Sequence, residues 1–382
     1  MAKALRRIHL TESEEKALST RGYELSTKLG EGAYAKVYLS VYKRSAETLK
    51  LACKIVDVRK TTKSFVGKFL PRELDCLMKL KHPHIVHVHS IFRRNFKYFI
   101  FMRYAENGDL MDFIVQFGAL TEVQTRFWAR QISLAVQYLH TLGNDIHFLL
   151  MVHAMQDFKE NISGITHRDI KCENVLITNN NNVKLTDFGF SRYILDANSK
   201  EVLSETYCGS LLYTAPEVLR GIPYEPTKAD VWALGVLIFT MLNKCVPFDN
   251  SNVTVLYQHQ IKRKYKYRER VCSSLSIEVK KLIRNLLEPI PKRRLNIHEV
   301  VDSPWYQMDP RFAKLSDNEA AALEEARKTD MRAMKSNVIE SDMNDVLDET
   351  EKDVELNTDA VSEKLKEVNA EEKPKKPNGS KE

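Results

Sequence analysis

The residues best equipped for chemistry lie in one short stretch, Thr166-His-Arg-Asp-Ile-Lys-Cys-Glu-Asn174, followed by Leu185-Thr-Asp-Phe-Gly189. The first places a carboxylate (Asp169), a cation two residues on (Lys171) and a carboxamide (Asn174) in one loop, and a second carboxylate, Asp187, follows thirteen residues after Asn174. These groups suit phosphoryl transfer: one carboxylate orients and deprotonates a hydroxyl, while an Asn and an Asp hold divalent metal against a polyphosphate. The competing explanation is two charged loops flanking a buried Val175-Leu-Ile177 strand. Either motif alone can arise by chance, but the order and spacing of the surrounding pieces disfavour it.

Those groups need elements to position them. Tyr23-Glu-Leu-Ser-Thr-Lys-Leu29 reads as a strand and runs into Gly30-Glu-Gly-Ala-Tyr-Ala-Lys-Val37. Glycines at 30 and 32 let backbone N–H groups approach phosphate oxygens, and Val37 can cap a purine. Ala35 stands where a third glycine is usual, and is still small enough for close approach. A dinucleotide-binding turn is disfavoured because strand text, not a helix, follows. In Leu51-Ala-Cys-Lys-Ile-Val56 a lysine, Lys54, interrupts an apolar run, which is costly without an anionic partner. Thr121-Glu-Val-Gln124 reads as a capping box opening a buried helix, with Trp128, Ile132, Ala135, Val136 and Leu139 at helical spacing.

Taken together these stretches resemble the protein kinases, over residues 23–306. The resemblance implies an α+β, bilobal fold: a small, mostly antiparallel β lobe with one key helix (23–103) and a larger, mainly helical lobe (104–306). It implies MgATP between the lobes, under Leu29, Gly30, Glu31, Gly32, Ala33, Tyr34, Ala35, Lys36 and Val37. Lys54 would hold phosphates and pair with Glu73 of the helix that Pro71 opens. Met102 would lie behind the adenine, the backbone of Tyr104 or Ala105 would bond it, and Asp109 would meet the ribose or a substrate arginine. Asp169 would be the base, Lys171 would steady the γ-phosphate, and Asn174 and Asp187 would hold Mg2+. Thr206 would be phosphorylated in the activation segment and Arg168 would receive its phosphate. Ser210 would bond Asp169 and Lys171, Asp230 would cap the catalytic loop, and Arg294 would pair with Glu217.

Lys171 in Asp-Ile-Lys marks a serine/threonine rather than a tyrosine kinase. Gly-Glu-Gly-Ala-Tyr-Ala-Lys-Val, Phe-Leu-Pro-Arg-Glu, Asn-Gly-Asp-Leu, Thr-Tyr-Cys-Gly-Ser and Arg-Leu-Asn-Ile-His-Glu are most similar to the testis-specific serine/threonine kinases, within the calcium/calmodulin-dependent group. That implies a role in sperm development, with protein substrates and ATP as partners and an activating kinase or chaperone besides. A pseudokinase scaffold is the alternative.

Composition fits. Of 382 residues 43% are hydrophobic, enough for a large core, and the six cysteines are scattered, as suits a reducing compartment. Neither a signal peptide nor a run near the roughly 18 apolar residues of a membrane span is visible. A cytoplasmic monomer is expected, with the sperm cell and flagellum as its setting by resemblance, and without membrane or nucleic-acid partners. The net charge of +7 divides into +13 over residues 1–310 (45 basic, 32 acidic) and −6 from Arg311 on (13 basic, 19 acidic). The basic, aromatic run 261–268 reads as a solvated helix-to-loop face, and His82, His84, His87 and His89 as a helix-to-strand connection rather than a metal site.

Residues 1–22 are expected to be a flexible arm, and 307–382 a charged, mostly disordered tail with transient helix across 320–327. Between the helix ending near Gly143 and the catalytic loop stand 21 further residues, Asn144 to Gly164. Without them the text reads Leu-His-Thr-Leu-Gly-Ile-Thr-His-Arg-Asp unbroken. Codons for Gly143-Asn144 permit a splice donor and those for Ile162-Ser-Gly164 an acceptor, so a retained short intron is the preferred explanation. A genuine surface insertion is the other.

Overall fold

Segments rich in Val, Ile, Tyr and Phe form the smaller lobe as an antiparallel sheet. The computed structural model describes residues 10–328, apart from 33–34, 44–47, 62–69, 71–73, 75–76, 78–79, 143–163, 195–202, 205–208 and 249–251. After a first helix, α1 (Glu12–Thr20), come β1 (Tyr23–Glu31), β2 (Ala35–Tyr42), β3 (Leu49–Asp57), β4 (Val88–Arg94) and β5 (Lys97–Arg103), in spatial order β1-β2-β3-β5-β4. Side chains alternate between the two faces. Cys53, Ile55, Phe99 and Phe101 pack outward with Leu18 and Tyr23. Ala52, Val56, Ile100 and Met102 join the core that continues into the larger lobe. Lys54 falls between Ala52 and Val56 on that second face, in register with Val37 on one side and Ile100 on the other. The register therefore aims its ammonium at the cleft.

The larger lobe is built on α2 (Leu110–Phe117) and α3 (Glu122–Thr141), then the short strands β6 (Ile165–Thr166), β7 (Val175–Ile177), β8 (Val183–Leu185) and β9 (Arg192–Tyr193). After α4 (Pro216–Leu219), α5 (Pro226–Asn243) runs through its centre against α6 (Ile277–Leu286). A Cβ at Gly235 of α5 would lie 2.7 Å from Leu286 Cβ, so glycine permits that close approach. Thr121 caps α3 by accepting from Gln124 N–H at 3.2 Å. The reciprocal half of the expected capping box, from the Thr121 N–H to the Gln124 side-chain oxygen, is not formed.

The expected flexible arm at 1–22 needs correction over its second half. Thr11 and Glu14 form a full capping box on α1. Glu14 is 2% exposed and accepts from Lys97 Nζ at 2.8 Å, and Leu18 packs into the outer core. Burial raises the Glu14 carboxyl, but Lys97 and the Thr11 N–H outweigh it and hold it below its ordinary range.

The expected tail needs the same correction at its start, because order does not stop at 306. A helix, α7 (Asp317–Lys328), docks on α3 through a carboxylate that is 6% exposed. Glu319 Oε1 takes hydrogen bonds from Arg130 Nη1 at 3.2 Å and His84 Nε2 at 2.9 Å. Phe312 stacks on Phe127 with centroids 6.0 Å apart. Charge and few aromatics read as disorder in the sequence, but here the charge itself is the anchor.

The insert begins and ends at one point. Gly164 N–H donates to Leu142 O at 2.5 Å, and Gly164 then enters β6, which pairs with β9. Residues 143–163, and so all of the insert but Gly164, lie outside the described residues.

Candidate active site

The loop after β6 cannot run as regular strand, because Arg168 is held at φ +63°. This conformation is uncommon for a side chain with a Cβ and is maintained only where the surroundings fix it. Asp230, at 1% exposure near the start of α5, does so: it accepts from His167 N at 2.9 Å, Arg168 N at 2.8 Å and His140 Nε2 at 2.9 Å. His167 adds a second tie. Its Nε2 lies 3.0 Å from Thr186 O, an acceptor, so that nitrogen carries the proton, and Nδ1 accepts from Asp169 N at 3.3 Å. One ring thus links the catalytic loop to the residue before Asp187.

Asp169 is 4% exposed and saturated with donors. Oδ1 accepts from Ser210 N at 3.0 Å and Ser210 Oγ at 3.2 Å. Oδ2 accepts from Lys171 Nζ at 2.6 Å and Asn174 Nδ2 at 3.0 Å. Lys171 Nζ also donates to Ser210 Oγ at 2.9 Å. Gly209, at φ +89°, makes this possible: a Cβ there would lie 2.6 Å from Arg168 O.

Asp187 also has positive φ, +66°. Its Oδ1 accepts from Lys54 Nζ at 3.1 Å, and mainly the charge of Lys54 holds the carboxyl below its ordinary range. Thr186 N–H donates to Asn174 O at 3.0 Å, which joins the ends of β7 and β8 and brings Asn174 beside Asp187. The Asn174 amide nitrogen is spent on Asp169, so its oxygen stays available as a ligand. A carboxylate and an amide oxygen form the hard, all-oxygen donor set that Mg2+ takes.

The glycine turn closes with Gly32 N–H donating to Ala35 O at 2.9 Å, and a Cβ on Gly30 would meet nothing within 4 Å. Packing within the protein therefore does not demand that glycine, and the open space beside it fits a phosphate chain. Glu31 and Lys36 pair with each other at 3.5 Å, with Lys28 also on Glu31, so what they offer a nucleotide is backbone. Leu29 is exposed, Val37 half-buried, and Met102 and Ala105 are buried on either side of Arg103 and Tyr104. Arg103, where an acidic residue is common in kinases, pairs with Glu106 at 3.0 Å. Asp109 caps α2, accepting from Asp112 N at 2.9 Å, and burial pushes its carboxyl up. Ala33, Tyr34, Pro71, Glu73 and Thr206 lie outside the described residues, although Leu70, Leu74 and Leu77 around Glu73 are helical.

Arg294 forks onto Glu217 at 2.6 and 2.9 Å, as expected. Two contacts escape sequence reasoning. One is His167 to Thr186 O. The other is Arg168 to Ser204, whose only signal is a hydroxyl two residues before Thr206. His82 and His84 are buried, His82 with burial pushing its ring down to about 3 and His84 on Glu319.

The protein kinase domain family matches residues 23–306. Mouse testis-specific serine/threonine-protein kinase 1 is 39% identical over 298 residues, covering 77% of this chain and 74% of its own. Human testis-specific serine/threonine-protein kinase 3 is 35% identical over 293 residues, 76% of this chain and 98% of its own. CBL-interacting serine/threonine-protein kinase 7 of Arabidopsis thaliana is 33% identical, over 75% of this chain and 60% of its own. The matched span contains both the carboxylate held by Lys171, Asn174 and Ser210 and the Lys54–Asp187 pair, and the chain belongs to the serine/threonine protein kinases.

Proposed function

We propose that Asp169 is the general base of this ATP-dependent protein serine/threonine kinase, that it prefers targets with basic residues upstream, and that it acts in sperm development. The observation that carries the catalytic reading is the Asp169 carboxylate, whose roughly four lone-pair sites each have a donor. A substrate hydroxyl must displace one of them. Ser210 Oγ, at 3.2 Å, is the longest, and its O–H can rotate off Asp169 while the oxygen goes on accepting from Lys171 Nζ. The incoming hydroxyl then gives its proton to Asp169 as its oxygen bonds the γ-phosphorus and the β–γ bridging oxygen leaves. Lys54 orients phosphate oxygens and Lys171 meets charge on the transferred group. Asn174 and Asp187 would hold magnesium, which when bound neutralises polyphosphate charge.

Asp169→Asn keeps the shape and removes the acceptor. Phosphate transfer should fall by about 10^3-fold or more with ATP affinity nearly unchanged. Turnover within about tenfold of the parent would refute the assignment. Because the insert leaves and returns between Leu142 and Gly164, the catalytic loop keeps its ties to Asp230, which favours an enzyme over a scaffold.

Exposed Glu173 and half-buried Asp109 support the basic preference. A peptide library should show it, and Asp109→Ala plus Glu173→Ala should weaken it. An indifferent library would count against it. Sperm development and a cytoplasmic location in that cell rest on the likeness to the testis-specific kinases; staining of testis sections tests both. Thr206 is proposed as the activating phosphosite, with Arg168 as receiver. Equal turnover before and after phosphatase treatment would remove that switch.

A further inference from the structure

Arg168 is 8% exposed, yet its guanidinium makes no ion pair among the described residues. Its guanidinium instead donates Nε to Phe190 O at 2.6 Å and Nη1 to Ser204 Oγ at 2.7 Å. A buried cation without a carboxylate is costly unless its donors are well satisfied, so these neutral acceptors matter more than their number suggests. Ser204 is fully buried and fixed from the other side, exchanging both backbone hydrogen bonds with Tyr224 at 2.9 and 3.0 Å. Its neighbour Leu203 accepts from Arg192 Nη1 at 3.2 Å. The Ser204 hydroxyl is therefore a fixed post, tied to the body of the larger lobe, against which Arg168 braces.

We propose that Ser204 is a positioning residue for catalysis: its hydroxyl supplies, in the unmodified enzyme, the oxygen that holds Arg168 and with it the neighbouring Asp169. The route is short. Arg168 is left-handed in backbone and adjacent to the base, and its carbonyl abuts Gly209, which precedes the Ser210 that bonds Asp169. If the guanidinium swings away, Arg168 at φ +63° keeps its backbone bond to the buried Asp230 but loses the side-chain brace. The hydroxyl thus gives a basal level of order that does not wait for a phosphate. The inference rests on Asp169 being the base.

The test uses the full chain after phosphatase treatment, comparing the parent with Ser204→Ala, and Ser204→Thr with Ser204→Val, which match in shape and differ in the hydroxyl. A hydrogen bond to a charged group predicts that Ser204→Ala lowers kcat about tenfold and leaves KM for ATP within about twofold. It also predicts that Ser204→Thr exceeds Ser204→Val in kcat by a similar factor of about ten. Thermal midpoints read the fold independently, and if Ser204→Ala fails to fold the Thr/Val pair decides alone. Equal kcat for Ser204→Thr and Ser204→Val, or a loss confined to KM for ATP, overturns the proposal. Asp169→Asn runs alongside: if it stays active the base is misassigned, whereas an inactive Asp169→Asn with a Ser204→Ala as active as the parent condemns only the role of Ser204.

Discussion

At the scale of single residues the site works by saturation. Asp169 is surrounded by donors, Asp230 by backbone N–H groups, and each leaves its partner few alternatives. Gly209 shows how little slack remains. Alanine there would have to keep φ +89° and fit a Cβ 2.6 Å from a backbone oxygen. Gly209→Ala should cost about 1–3 kcal/mol of strain, taken up by moving Ser210 away from Asp169. The measurement is kcat against thermal midpoint: the first should drop at least about tenfold while the second moves by only a few degrees. A variant with the parent's kcat would mean the turn relaxes without disturbing the base. Lys54 and Asp187 add a pH dependence. The Asp187 carboxyl is lowered in the folded protein, so its pairing contributes stability above its ordinary range and loses it as pH falls through the lowered value.

At the scale of elements, the join between α3 and β6 distinguishes this chain. Gly164 has φ +53°, and a Cβ on it would lie 2.3 Å from Ile194 Cδ1 and 3.0 Å from His140 O. That is the left-handed glycine that ends a helix, placed directly after Leu142 in space. Since residues 143 and 164 are both glycine, deleting 143–163 yields the same sequence as deleting 144–164. The shortened chain carries its cap already in place. Loop closure costs only about 0.6 kcal/mol per doubling of length, so the insert need not prevent folding, but removing it should not harm folding either. Deletion is expected to keep or raise thermal midpoint, soluble yield and kcat. A shortened chain that is less stable, or inactive while the full one works, would show that the segment is integral.

How far such elements are legible in the sequence depends on what fixes them. The strands, the glycine turn, the catalytic loop and the Asp230, Ser210 and Arg294 contacts follow from residue type and spacing. The contact of Ser204 with Arg168 depends on a left-handed backbone at a non-glycine residue, which no residue type signals. Helices α1 and α7 are each anchored by one buried carboxylate, and a reading that counts Glu14 and Glu319 as solvent-facing sees only arms and tails.

At the scale of the whole molecule, α7 lies beyond the family match yet ties two of its parts together. Glu319 holds Arg130 of α3 and His84, and His84 O accepts from Leu185 N–H at 2.9 Å, two residues before Asp187. The packed body therefore extends, among the described residues, to both sides of the 23–306 matched by the family. Burial raises the Glu319 carboxyl, but the His84 ring, the Ser316 N–H and the Arg130 guanidinium outweigh it and bring it to about 2, against an ordinary 4.5. Its folded-state value is depressed, so its contribution is fully present above pH 4.5 and disappears as pH falls toward 2. Removing one member of a buried pair leaves the others uncompensated and costs about 3–5 kcal/mol. A chain ending at residue 329 should match the full protein in thermal midpoint, while one ending at 308 should unfold several degrees lower. Glu319→Gln should reproduce most of that loss near neutral pH, with the difference from the parent closing in acid as Glu319 itself protonates. A Glu319→Gln variant with the parent's midpoint would mean that the segment holds by apolar packing such as Phe312 on Phe127 and not by its charge. Equal midpoints for all three proteins would place the domain boundary back at 306.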